Sequence, residues 1–184
     1  SATEVNGCTD TLETIINIAE NPIASFSTQD FCVESANQLF DSSSTNTGTI
    51  TNWNWNVVNH TNQSTDQNPT FLFTDTGYYY LDLIVTTNLG CTDSIRDTIN
   101  IYPLPAPDFT FTPTAGAPPL TVNFTNTTNG INQYFWNFGD NTSSTLTSPT
   151  HIYQDSSNYF IKLKATSIYG CSDSISKSIY VIDP

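Results

Sequence analysis

The chain has 184 residues, 37% of them hydrophobic and 12% aromatic, but only 11% charged, with no Met and a net charge of −13. That apolar content fills two small cores and is poor in helix formers, whereas the abundant Thr, Tyr, Val and Ile suit a pleated, half-buried sheet. The acidic balance argues against nucleic acid and anionic membranes as partners, since both select basic patches, and no stretch approaches the roughly 20 apolar residues of a membrane span.

In chain order, residues 1–20 read as the end of an upstream repeat: a hairpin tip, then a strand over residues 12–19 with Leu12, Ile16 and Ile18 on one parity, facing a core. This strand belongs to an upstream domain or completes the sheet of a neighbouring molecule as a donor strand. A first repeat covers residues 22–102. Residues 23–27 form a short strand, residues 29–35 a loop carrying Cys32, and residues 38–41 a second strand. Trp53 and Trp55 then alternate on one face. After a polar loop over residues 59–70 comes a core-facing row of Tyr79, Leu81, Leu83 and Val85, and Ile95, Ile99 and Ile101 finish the sheet.

The join is Pro103-Leu104-Pro105-Ala106-Pro107, whose alternating prolines stiffen it. A second repeat, residues 103–184, follows in the same order: Phe109 and Phe111, a loop over residues 115–119, a strand over residues 120–124, then Tyr134, Trp136 and Phe138. Tyr159, Ile161, Leu163 and Ala165 make its long inner row, and Ile175, Ile179 and Val181 its last strand. About seven short strands per repeat, with turn signals every 8–12 residues or so, is the Ig-like sandwich pattern. The fold class is therefore all-β: tandem sandwiches arranged end to end.

One phrase punctuates the chain three times, as Asn6-Gly7-Cys8-Thr9-Asp10-Thr11-Leu12, Leu89-Gly90-Cys91-Thr92-Asp93-Ser94-Ile95 and Tyr169-Gly170-Cys171-Ser172-Asp173-Ser174-Ile175. Lying between alternating apolar runs, it reads as a hairpin tip used once per repeat. The four cysteines form no C-x-x-C pair, so they suggest disulfides in an oxidising, extracellular setting and not a zinc or redox site.

Trp136-Asn137-Phe138-Gly139-Asp140, then Ser148-Pro149-Thr150-His151-Ile152-Tyr153 and the strand led by Tyr159, resemble the PKD (polycystic-kidney-disease-type) domain family over the whole second repeat. The first repeat is similar to the family at Trp55 and at Asn68-Pro69-Thr70-Phe71-Leu72-Phe73. It carries Val57-Val58-Asn59 where Phe-Gly-Asp is expected, so it is a divergent copy. Serial domains with such Gly-Cys tips also resemble large surface proteins of the Bacteroidetes phylum, many exported by type IX secretion. The resemblance implies an extracellular spacer or adhesion module without chemistry of its own. Neighbouring repeats of the same polypeptide or filament are then its first partners, and a surface polysaccharide or protein the next. A binding module, or an accessory region of a secreted hydrolase, is the alternative.

No catalytic residue is nominated. The two histidines, His60 and His151, stand in no nucleophile elbow or zinc-protease motif. No cofactor is expected unless calcium, for which Asp140 and Asn141, with Asp155, are the candidates. A turn aspartate capping backbone amides is the alternative. In an Ig-like sandwich the A–B loop and the F–G tip lie at opposite ends, about 25 Å apart, whereas disulfide Cα atoms lie within about 7 Å. Cys32 is on the first A–B loop and Cys91 on the F–G tip of the same domain. In an end-to-end array Cys32 instead meets Cys171, the F–G tip of the next domain, leaving Cys8 and Cys91 to partners outside this chain. A local Cys32–Cys91 bond, or four free thiols, are the alternatives. Asp-Ser/Thr-apolar triplets make Thr11, Ser94, Thr98 and Ser174 candidates for O-glycosylation. Phe135 and Phe160 point away from the second core, with Tyr180 nearby, and form a candidate face for protein or sugar.

Overall fold

The computed structural model describes residues 2–3, 9–10, 12–14, 18–28, 31–131 and 133–182. All regular structure among them is β-strand, in two sandwiches of one design. In the first, a five-stranded sheet runs in the order Phe31–Cys32, Thr92–Tyr102, Gly77–Thr87, Ile50–Val57, Gln63–Ser64. Facing it, Phe26–Ser27 pairs with Phe40–Asp41, and Ala36–Gln38 with Thr70–Leu72. In the second, the order Ala115–Gly116, Ser172–Val181, Ser157–Thr166, Gln133–Asn137, Ser143–Ser144 repeats that sheet, and Phe109–Thr112, Leu120–Asn126 and Thr150–Tyr153 face it.

Strict alternation builds both cores. On Gly77–Thr87 the buried apolar residues are Leu81, Leu83 and Val85, and on Ser157–Thr166 they are Ile161, Leu163 and Ala165. Each core is centred on one fully buried tryptophan whose indole N–H must find an acceptor. Trp55 Nε1 donates to the Asp66 carbonyl and Trp136 Nε1 to the Leu146 carbonyl, both at 2.9 Å. Each repeat also has a tyrosine corner: the Tyr79 hydroxyl donates to the Asp75 carbonyl, and the Tyr159 hydroxyl to the Asp155 carbonyl, both at 3.0 Å.

The divergence between the copies has a local cause. Gly139 has φ +87°, and a Cβ there would lie 2.8 Å from the Phe160 carbonyl oxygen, so only glycine fits. In the first repeat the chain turns one residue later, at Asn59 with φ 60°, and Val58 donates its amide to the Tyr80 carbonyl at 2.9 Å.

Three expectations need correction. Cys32 lies in a two-residue strand and not in a loop: Phe31–Cys32 pairs in parallel with Ile101 and Tyr102, and Ala115–Gly116 does the same with Tyr180 and Val181. The second strand of the first repeat is interrupted at Leu39, whose side chain is buried while its amide bonds the Pro69 carbonyl. Leu12 and Ile18 are 90% and 85% exposed and lie in no strand, because neither core presents a face to them; Ile16 falls outside the described residues. The first Gly-Cys tip is nevertheless flanked by a pair of short antiparallel strands, Ala2–Thr3 with Thr9–Asp10.

Candidate functional site

The second and third tips are three-residue hairpin loops with glycine at the left-handed position. Gly90 has φ 82° and Gly170 φ 81°. Thr87 and Ser167 donate their amides to the Cys91 and Cys171 carbonyls at 2.9 and 2.8 Å, and the glycine amides donate back to Thr87 and Ser167. The turn thus delivers a cysteine as the first residue after the glycine.

In the second sandwich that cysteine is buried against the first. Cys171 is bonded to Cys32, with Cα atoms 5.6 Å apart at a sequence separation of 139, the pairing expected from the end-to-end arrangement. Beside the bond the rings of Tyr102 and Tyr169 stack at 3.6 Å with 12° between planes. Pro105 and Pro107 of the join are buried. The Tyr102 carbonyl ties these parts together: it accepts the Val33 amide at 3.0 Å and lies 4.0 Å from Cys171 Sγ.

The first sandwich repeats half of this arrangement. Cys91, a half-buried free thiol, lies 3.9 Å from the Ala19 carbonyl oxygen. Ala19 precedes Phe26 by the same seven residues that separate Tyr102 from Phe109. Asp93 adds a link the second copy lacks. Its carboxylate accepts the Ala24 amide at 2.8 Å, whereas the matching position of the second repeat is Pro107, which has no N–H. Cys8 lies outside the described residues.

Of the calcium candidates, Asp140 is engaged within its own turn and by His151. Asp140 Oδ1 accepts the amide and hydroxyl of Thr142 at 3.0 and 2.5 Å, and Oδ2 sits 2.6 Å from His151 Nε2. Asn141 adopts φ 69° in the same turn. Asp155 offers its backbone carbonyl to Tyr159. Among the described residues no three His, Cys, Asp or Glu side chains gather as a metal set. His151 stacks on Phe138 at 4.2 Å, so the Asp140–His151 pair braces the core edge.

Burial works to raise the Asp140 pKa, but hydrogen bonds from Thr142 and His151 outweigh it and hold the carboxyl below the ordinary aspartate value. A depressed carboxylate stabilises the fold above its unfolded value and loses that contribution as pH falls through the folded one. Asp140→Asn is therefore expected to cost about 1–2 kcal/mol at neutral pH. The gap between variant and wild type in urea unfolding should close as pH drops below the ordinary aspartate range. A gap that persists in acid contradicts this role.

Of the glycosylation candidates, Ser94 and Thr98 are exposed, Ser174 is half-buried, and Thr11 lies outside the described residues. The aspartates before Thr98 and Ser174 accept the amides of those residues at 2.7 Å.

The outer aromatics are where alternation puts them: Phe135, Phe160 and Tyr180 are 48%, 66% and 56% exposed. Register separates them, however. Phe135 lies opposite Lys164, and Phe160 opposite Ser178, so Phe160, Lys162 and Lys164 follow one another outward along one strand, with Phe135 beside the last. The two lysines, the Tyr102–Tyr169 stack and the Asp93 link were absent from the sequence reading. The signal for the lysines was there: only 4 Lys and Arg exist in the chain, and two alternate on a single strand.

The PKD domain family matches residues 19–102 and 104–182. No curated protein matches the chain. The solved PKD1 domain from Vibrio cholerae metalloprotease PrtV is 28% identical, covering 45% of this chain and 98% of its own, with a TM-score of 0.41. The PKD1 domain of Vibrio anguillarum Epp is 23% identical over 46% of this chain and 96% of its own, at 0.42. The fibronectin(III)-like modules of Clostridium thermocellum CbhA cover 88% of this chain and 95% of their own at 10% identity and a TM-score of 0.50, a likeness of fold.

Proposed function

The chain belongs to the PKD domain family, and on that premise we propose that it is a non-catalytic extracellular spacer whose two sandwiches are fastened to carry tension. The observation that carries this reading is the Cys32–Cys171 bond. It joins the start of the first sandwich to the last hairpin of the second, so the short covalent route runs through residues 1–32, across the bond, and out along Ser172–Val181. Everything between the two cysteines is removed from the load. A disulfide in that role suits a surface or secreted protein, where it persists.

The same rule extends upstream. Cys91 stands to Ala19 as Cys171 stands to Tyr102, so its partner is a cysteine in the first edge strand of a preceding repeat. Residues 1–20 then supply the end of that repeat, as they would in a serial, type IX-exported surface protein. A second reading is favoured by the exposed Phe135, Phe160 and Tyr180: the outer face of the second sandwich binds a polysaccharide or a protein.

Backbone ¹⁵N relaxation tests the fastening. Both sandwiches of the oxidised chain should tumble with one shared anisotropic tensor and separate into two when the bond is reduced. Independent tumbling in the oxidised chain would reject the proposal.

A further inference from the structure

We infer that the outward face of the second five-stranded sheet binds an anionic polysaccharide. The inference rests on the binding reading of this face and is independent of the mechanical one. The chain carries −13 with 4 Lys and Arg in all. Two of these are neutralised locally: Arg96 forms a bidentate pair with Asp82, and Lys177 bonds Asp108 at 2.7 Å. The other two, Lys162 and Lys164, have no ion pair among the described residues, and both stand exposed on the same face.

Among the described residues the outward positions of the three long strands of that face hold no carboxylate. Its outward positions are Gln133, Phe135 and Asn137 on one strand, with Asn158, Phe160, Lys162, Lys164 and Thr166 on the next. On the third strand they are serines 172, 174, 176 and 178, then Tyr180. An unpaired cationic strip selects an anionic partner, while the net charge of −13 opposes association between copies of the chain. In the first sandwich the matching face carries the closed Arg96–Asp82 pair and has no such strip.

Shape and chemistry narrow the partner to sugar. An open groove of about 700 Å³ runs beside Phe135, lined by Gln133, Thr145, Thr147, Lys164 and Thr166. It pairs an apolar ring face with amide and hydroxyl groups and one ammonium, which are the contacts a pyranose ring with a charged substituent makes. Successive outward residues on a strand lie about 7 Å apart, so Lys162 and Lys164 engage neighbouring charges of a polymer, and Phe160 extends the platform beyond them.

The test is calorimetric titration of the oxidised chain with polygalacturonate, dextran sulfate and neutral dextran. Binding of either charged polymer, weakened by salt, with little affinity for dextran, is expected; the two charged arms tell uronate from sulfate ester. Lys162→Gln with Lys164→Gln, and separately Phe135→Ala, should each lower affinity at least about tenfold. Arg96→Gln should leave it unchanged, and all three should keep the wild-type unfolding midpoint. Equal binding of dextran, or insensitivity to the double lysine variant, overturns the anionic assignment while the binding reading stands. Absence of binding to all three polymers overturns the inference together with the polysaccharide arm of the binding reading, as does self-association through this face that the double lysine variant abolishes.

Discussion

Trp136→Ala strongly destabilises the second sandwich and leaves the first intact. The indole is fully buried, packs edge-on to Phe109 at 5.0 Å and lies 5.5 Å from Phe124. Truncating such a side chain costs about 3–5 kcal/mol through lost transfer energy and the cavity left behind. The Leu146 carbonyl also loses its donor, which adds to the loss. A domain of this size has about 5–15 kcal/mol to lose, so the variant sits close to its threshold. The chain has 3 Trp, and the remaining two, Trp53 and Trp55, both report on the first sandwich. Their fluorescence should keep the wild-type denaturant midpoint while the amide signals of residues in the second core are lost at much lower denaturant. A single shared transition would show that the two cores do not stand alone, against the separate clusters around Trp55 and Trp136.

Much of this arrangement was legible because alternation is a strong signal. The rows led by Tyr79 and Tyr159 and the buried Trp55 and Trp136 could be read directly, since burying one face fixes the parity of a strand. The Cys32–Cys171 bond was legible at one remove, from the positions of loop and tip in a sandwich. What was hidden has no periodicity. Phe31–Cys32 and Ala115–Gly116 are two-residue strands held by parallel pairing, too short to alternate. Leu12 and Ile18 share the parity of a core strand yet stand in solvent, because apolar spacing states what a segment could bury and not what covers it. The Asp140–His151 pair and the Tyr102–Tyr169 stack join residues remote in sequence, and side chains of these types fit equally well in turns and cores. The lysine strip needed register as well as spacing. Only the pairing of Phe135 with Lys164 shows that the aromatics bracket the charges.

The larger of the two effects is mechanical. When the chain is pulled through handles fused at both ends, the oxidised form extends only over the residues outside the Cys32–Cys171 loop. Tension strips the Phe26–Ser27 and Phe31–Cys32 edge strands and then the Ser172–Val181 strand, and stops at the bond. The loop closed by the bond spans 139 residues. At 3.3–3.6 Å per extended residue it withholds about 450–500 Å of length. Cys32→Ala with Cys171→Ala, or reduction, releases that length in separate events as each core gives way. The variant should also be less stable to denaturant, because closing so long a loop restricts the unfolded chain by about 4–5 kcal/mol in the chain-entropy account.

Single-molecule force extension of the same chain, first oxidised and then after reduction, tests the fastening most directly. The account predicts that reduction adds about 450–500 Å to the final contour length. Equal contour lengths in the two states would contradict it, because tension would then already be passing through both cores.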